Sequence, residues 1–479
     1  MRILKSMLLL LLVSAMTLCL FGCGEDPDAS GAQTTTQGEA ASTEADPYQA
    51  DNLPADLDFD GEAFRVFTWT EAKEYDWNAT ASSEVIAHSI YTGRRFVAER
   101  LNIVFDVVDQ SGNWDARATF ISNLSTYLMA GYQIDLVDQY TAAAALGAMK
   151  GIYANLNAVP HLDFSQPWWP GNIQESCAIG NNVYFCSGDV TMTMIHTMGS
   201  LFVNMDLWSG YGIEDDLYQV VRDREWTMEK MMEVSLDKVP DGSDSYGIFV
   251  CWRSAYDNLF YGAGMTFTAR DSQNQLIVSP DVASQKMDDY YQICRNLLHD
   301  NPDVESGNIA TDRNIENTFM NNKALIYMST QLSDARNYLK DVLFDFAVVP
   351  YPMYDSHQKD YHSLSGYGIS LFSIPDTARD VEMSGAVLEA LGSAGYRYIT
   401  PKVYEESFRH RFLQSPDNAE MLDIIHDTMV YDAGRFFADD IAMFNLFRRS
   451  HENVEWTSHM QMNYGVWEQN VRRVSTKLG

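Results

Sequence analysis

Basic residues are scarce in this chain. Lys and Arg number 33 against 66 Asp and Glu, a formal net charge of −33 over 479 residues. Binding to phosphate backbones needs clustered Lys and Arg, so nucleic acid is excluded as a partner and polyanionic ligands are disfavoured. Charge of this size otherwise speaks to solubility. Catalytic signatures are missing as well: there is no His-Glu-x-x-His, no Gly-x-Ser-x-Gly, no phosphate loop and no Cys-x-x-Cys. The ten histidines are scattered without the spacing of metal ligands. His196, near Met192, Met194 and Met198, reads as a packed position rather than a soft-metal site. A glycosidase needs two carboxylates about 5–10 Å apart, and 66 acidic residues offer any pair, so that criterion selects nothing. Neither a metal nor an organic cofactor is implied.

Long apolar runs are also absent, except at the start. Behind Arg2 and Lys5 lies a leucine-rich stretch from Met7 to Leu20, then Phe21, Gly22 and Cys23. A short positive start, an apolar core and a small residue before a cysteine form an export signal. Leu20-Phe21-Gly22-Cys23 resembles the bacterial lipobox, which makes Cys23 the expected lipidation site. Cys19 follows the bulky Leu18 and fits a cleavage site less well. About 14 apolar residues precede Cys23, short of the roughly 20 that span a bilayer. Residues 1–22 are therefore read as a leader. Residues 23–58, rich in Ala, Ser, Thr, Gln, Glu and Asp, form a flexible tether. About 455 residues remain after cleavage, enough for two domains.

Cysteine is rare, at six residues. Cys177 and Cys186 flank two short extended stretches around Asn181-Asn182. With those two residues as the turn, the cysteines face each other at the short end of disulfide geometry, which leaves both a bonded pair and two free thiols open. Cys251 and Cys294 read as buried thiols.

From Phe64 the chain alternates. Strands are expected at 64–69, 103–108 and 134–138. Between them lie a helix capped by Ser82 or Ser83 and a second helix through Ala118–Leu128. This is βαβ logic and predicts a mostly parallel sheet, with ligands beyond the strand carboxyl ends. Those ends are Trp69 to Glu71, Asp109 to Trp114, and Asp138-Gln139-Tyr140. Later strands are expected at 200–204, 246–251, 344–349 and 367–372. Thr227 should cap a helix with Trp226 and Met231 as its hydrophobic staple.

Several segments, in this order, resemble the extracellular solute-binding proteins of ABC importers (family 1, the maltose-binding-like group). They are Asn155-Leu156 with Asn182-Val183-Tyr184, then Leu201 to Trp208 followed by Tyr211-Gly212-Ile213. Glu225-Trp226-Thr227-Met228-Glu229, Phe319 to Ile326, and Phe346-Ala347-Val348-Val349-Pro350-Tyr351-Pro352 complete the series. The resemblance implies an α/β, two-lobed fold of type II, each lobe a mostly parallel mixed sheet flanked by helices, closing about a hinge. It places residues 59–160 plus 361–400 in lobe 1. Residues 161–360 plus 401–479 form lobe 2 and the crossover segments. It further implies a monomeric, lipid-anchored receptor on the extracellular face of a bacterial membrane. Such a receptor catalyses nothing and delivers a sugar or oligosaccharide to an ABC permease. The alternatives are a secreted glycan-active enzyme and a cell-surface adhesion module. For a clamp, aromatic rings that stack on sugars and planar polar groups that bond hydroxyls are the useful residues. The ligand-binding candidates are Trp69, Glu71, Asp138, Gln139, Tyr140, Trp169, Trp252, Arg253, Gly366 and Tyr367. Trp208 and Trp226 are assigned to helix packing.

Overall fold

The computed structural model describes residues 49–77, 80, 84–240, 242–250, 255–299, 301–305, 315–409, 415–448 and 454–479. The leader, Cys23, most of the tether, Ser82, Ser83, Cys251, Trp252 and Arg253 lie outside the described residues.

Two mixed sheets organise the chain from Tyr48 onward. In the first, β1 (Glu62–Trp69) lies between β2 (Ile103–Gln110) and β3 (Leu136–Tyr140), parallel to both. β12 (Ser370–Ser373) closes one edge, antiparallel to β3. Phe64, Val66, Phe67, Thr68 and Trp69 are all buried, the pattern of a strand covered on both faces. The helix Val85–Leu101 that joins β1 to β2 buries Ile86, Ile90, Gly93, Val97 and Leu101, the stripe that the spacing predicts. Its cap is Glu84, whose carboxylate accepts the Ala87 amide at 2.6 Å.

The second sheet runs β10 (Phe346–Val349), β4 (Ser200–Asn204), β9 (Ala324–Ser329), β5 (Tyr246–Val250), β8 (Val304–Glu305). β4 is antiparallel to both neighbours, and β5 is parallel to β9 and β8. Thr227 caps its helix through the Lys230 amide, and Trp226 and Met231 are fully buried, as the staple requires. A small hairpin, β6 (Thr268–Arg270) with β7 (Leu276–Val278), lies apart from both sheets. Among the described residues, no helix is long and apolar enough to cross a membrane.

Two expectations change and one open reading is settled. β3 runs two residues further than its apolar run, because β12 supplies main-chain partners to Val137, Asp138, Gln139 and Tyr140. Cys177 and Cys186 are free, buried thiols and not a disulfide. Cys177 ends the helix Gly171–Cys177, and Arg270 donates to the carbonyls of Glu175, Ser176 and Ala178 at its end. The turn falls at Gly180, φ 61°, pairing Ile179 with Asn182 in both directions. Cys186 pairs instead with the main chain of Phe372, at 2.9 and 2.8 Å. Finally, part of the segment 161–190, expected with the second lobe, packs into the first sheet's core, while Ile173, Cys177, Ile179 and Phe185 join the larger cluster that reaches both sheets. Trp168, Trp169, Cys186 and Val190 join Phe64, Leu136, Phe372 and the helix Val381–Ala394.

Burial raises the pKa of both thiols. Alkylation of the unreduced protein should therefore be slow at Cys177 and Cys186 in the native state and complete once the chain is unfolded. A Cys177–Cys186 peptide pair surviving in a non-reducing digest would contradict this.

Candidate functional site

Three chain segments pass between the sheets side by side. Gly199 donates to the Leu364 carbonyl at 2.9 Å, and Gly366 donates to the Thr197 carbonyl at 2.7 Å. β11 (Ser363–Leu364) pairs in parallel with β13 (Met429–Val430). Gly366 serves this close approach: a Cβ there would sit 3.3 Å from the Thr197 Cβ and 3.4 Å from its carbonyl oxygen. The result is a narrow ribbon joining two broad sheets, the geometry of a hinge.

Beside the ribbon is a cavity of about 500 Å³. Trp69, Glu71 and Tyr75 line it from the end of β1, and Gln331 and Ser333 from the end of β9. His196 and Thr197 lead into the ribbon, and Arg336, Asn337 and Lys340 complete the second-sheet side. A larger cavity of about 710 Å³ opens between the 171–183 segment and the β6–β7 hairpin, away from these strand ends.

The floor of the strand-end cavity is a buried polar network. The Trp69 indole donates to Ser370 Oγ at 3.0 Å, and Ser370 Oγ donates to Asp76 at 2.6 Å. Thr191 donates to the other Asp76 oxygen at 2.6 Å. Arg94 bonds the carbonyls of Asp76 and Val190 at 2.7 and 2.6 Å. Burial, reinforced by the nearby Asp138 charge, pushes the Asp76 pKa up to about 8 against the bonds from Ser370 and Thr191. Glu71 behaves in the opposite way. Against the upward push of partial burial, the Gly112 amide and Ser111 hydroxyl hold its pKa below the usual range. Burial, aided by Arg336, pushes His196 down to about 4, and its Nε2 has no hydrogen-bond partner among the described residues.

The structure brings together Trp69, Tyr140 and Tyr367. The Trp69 and Tyr140 rings meet edge to face at 5.4 Å, and Tyr140 lies nearly parallel to Tyr367, at 19° and 6.5 Å. Glu71 and Gly366 lie close by on the cavity wall and the ribbon. Asp138 and Gln139 lie inside the first sheet, where β3, shifted two residues along from the expected strand, carries them. Asp138 accepts Thr68 Oγ1 at 2.6 Å and the Trp77 indole at 2.8 Å, and Gln139 pairs with Ser373 and Tyr153. Trp169 is buried, donates to Glu389 at 2.9 Å, and does not line the cavity.

Other residues extend the site. Trp114, just beyond β2, packs on Tyr367 at 5.4 Å and on Phe444 at 5.0 Å. Arg117 lies 4.1 Å over Trp114 and grips Asp439 through two 2.7 Å bonds. Arg435 lies 3.8 Å over Tyr367 and, like Arg448, is held by the buried Asp257. Burial pushes the Tyr367 hydroxyl up to about 12, and it has no partner among the described residues. Trp114 and Gln331 follow strands and were open to the strand-end rule. Arg336, Arg435 and Phe444 carry no local signal.

Solved structures with the same arrangement exist. A cyclic α-maltosyl-1,6-maltose binding protein from Arthrobacter globiformis superposes with a TM-score of 0.58 at 11% identity, covering 87% of this chain and 99% of that one. The sugar-binding protein MalE from Xanthomonas citri gives 0.56 at 13% identity, covering 87% and 97%. The galacto-N-biose/lacto-N-biose I-binding protein of the Bifidobacterium longum ABC transporter gives 0.54 at 11%, covering 88% and 96%. The fold is that of the ABC-importer solute-binding proteins. No protein-family model and no curated protein matches the sequence. In this two-lobed fold the strand-end cavity lies between the lobes and beside their hinge.

The Asp76 shift has a definite sign. Its native pKa near 8 exceeds the unfolded value near 3.8, so the native state holds the extra proton and stability falls as pH rises toward 8. Glu389, raised by burial to about 7, acts in the same direction. His196, lowered to about 4, costs stability only below about 6.5. The melting temperature should therefore decline from pH 6.5 to 8.5, and Asp76→Asn should make that decline shallower. Equal slopes in both proteins would contradict the assignment.

Proposed function

We propose that this chain is the solute receptor of an ABC importer, capturing a sugar or oligosaccharide between its two lobes and catalysing nothing. The observation that carries this reading is the cavity at the ends of β1 and β9, closed at one side by the ribbon. Trp69 and Tyr75 offer ring faces to a sugar's apolar side. Glu71, Gln331 and Asn337 offer hydrogen-bond partners for hydroxyls. Tyr140, Tyr367 and Trp114 continue the aromatic wall for a longer ligand. The proteins with this fold named above are carbohydrate-binding proteins, which supports the same ligand class.

The first sheet with its helices, including 161–190, forms lobe 1 in this reading, and the second sheet forms lobe 2. Cys23 carries the lipid that holds the monomer at the extracellular face of a bacterial membrane, and the tether lets it reach a permease. Replacing Cys23 with Ala should release the protein into the soluble extracellular or periplasmic fraction. Unchanged membrane retention would contradict the anchor.

Thermal unfolding of the mature chain against mono- and oligosaccharides, polyols and peptides tests the ligand class. Ligand at 100 times its Kd should add about 2.7 kcal/mol of stability. One carbohydrate class should give this shift and be recovered intact. Trp69→Ala should weaken that binding about 10- to 100-fold, a loss of roughly 1.4–2.8 kcal/mol. Silence across the panel, or recovery of cleaved sugar, would overturn the proposal.

A further inference from the structure

The ribbon has a second side. Thr197 and Gly368 line the strand-end cavity, whereas Met198, Met429 and Tyr431 line another, of about 530 Å³. That volume suits a small organic molecule. Its base is apolar and soft, with Met198 and Met429 buried. Tyr396 and Tyr404 wall it on the first-sheet side. Three carboxylates border it: Asp189 from the segment entering the ribbon, and Asp423 and Asp427 from the helix Pro416–Asp427. Among the described residues no Lys or Arg lines it, and the basic ring there, His426, is bonded to Asp427 at 3.0 Å.

Asp189 is built into place. A π-helical turn, Gly395–Ile399, interrupts the helical run and brings Gly395 against the Asp189 backbone. A Cβ at Gly395 would lie 1.7 Å from the Asp189 carbonyl oxygen, so only glycine fits. Thr400, the next residue after that turn, donates to the Asp189 carboxylate at 2.6 Å. The same turn carries Tyr396 to the cavity wall, so one backbone device sets both an acid and a ring. The carboxylates border the space rather than meet at a point. Among the described residues, no three His, Cys, Asp or Glu side chains converge as metal ligands would. Negative charge spread around aromatic faces and thioethers is the chemistry that receives a bulky, weakly hydrated ammonium group.

We propose that this cavity behind the hinge binds a small organic cation carrying an alkylated or quaternary ammonium group. The site is separate from the strand-end cavity and does not depend on the carbohydrate reading. Calorimetric titration of the mature chain with choline, tetramethylammonium and putrescine tests it. The uncharged choline isostere 3,3-dimethylbutan-1-ol serves as control.

Choline or tetramethylammonium should bind saturably at one site per chain, at least tenfold more tightly than the neutral alcohol. The double variant Asp423→Asn, Asp427→Asn should lose at least tenfold in that affinity with an unchanged far-ultraviolet spectrum. Tyr396→Leu should lose affinity too, which keeps the test decisive if the double variant folds poorly. Failure of choline and tetramethylammonium to saturate at 10 mM (about −2.7 kcal/mol) would overturn the proposal, as would equal binding of the alcohol or saturation by putrescine alone. So would binding that survives the acidic substitutions but is lost in Trp69→Ala, which would put the cation in the strand-end cavity.

Discussion

A buried carboxylate holds the candidate site in shape. Asp76 spends one oxygen on Ser370 in β12 and the other on Thr191 at the entrance to the ribbon, while Arg94 bonds its carbonyl. Three distant stretches of chain are thereby fixed to the end of β1, and the Trp69 indole is oriented through Ser370. Two acids, Asp76 and Asp138, are buried close together with Arg94 as the nearby cation. Burial raises both pKa values, and the Asp138 charge adds to the rise at Asp76. The network then acts mainly through geometry. Through Ser370 it reaches Trp69, which lines the cavity.

The two lobes differ from the ribbon in how they resist deformation. β3, β4 and β9 are buried throughout, and β1 from Val66 to Trp69, so rotating one of these strands would expose core. The ribbon has only short ladders, between 197–199 and 364–366 and between β11 and β13. Motion between the sheets is therefore cheapest at the ribbon. Specific contacts resist it, Arg336 with Glu84 at 3.2 Å among them. Arg117 with Asp439 ties the C-terminal segment to the first sheet, and Arg435 stacks on Tyr367 while held by Asp257 from the second-sheet side.

Much of this was legible in the sequence because burial leaves a periodic trace. The stripe Ile86–Leu101, the strands at 64–69 and 200–204, and the Thr227 cap follow from local chemistry alone. Trp69 and Tyr140 were reachable through the rule that parallel sheets present their carboxyl ends. Asp138 and Gln139 lie inside the sheet because β3 continues through them to pair with β12, more than 200 residues later in the chain. No local pattern announces such a partner. The Cys177 pairing stayed open for a related reason: two extended stretches of suitable length look like a hairpin until one of them is held as a helix by Arg270. Arg336, Arg435 and Phe444 reach the site only through tertiary packing, so residue type and spacing could not identify them.

The central claim is that two lobes rotate about the ribbon to enclose a sugar. Spin labels at Met129 and Leu343, 82% and 98% exposed on the two lobes, report that rotation by pulsed dipolar spectroscopy. A sugar that raises the melting temperature should also shift the label distance and narrow its distribution. An unchanged distribution at saturating sugar would contradict it.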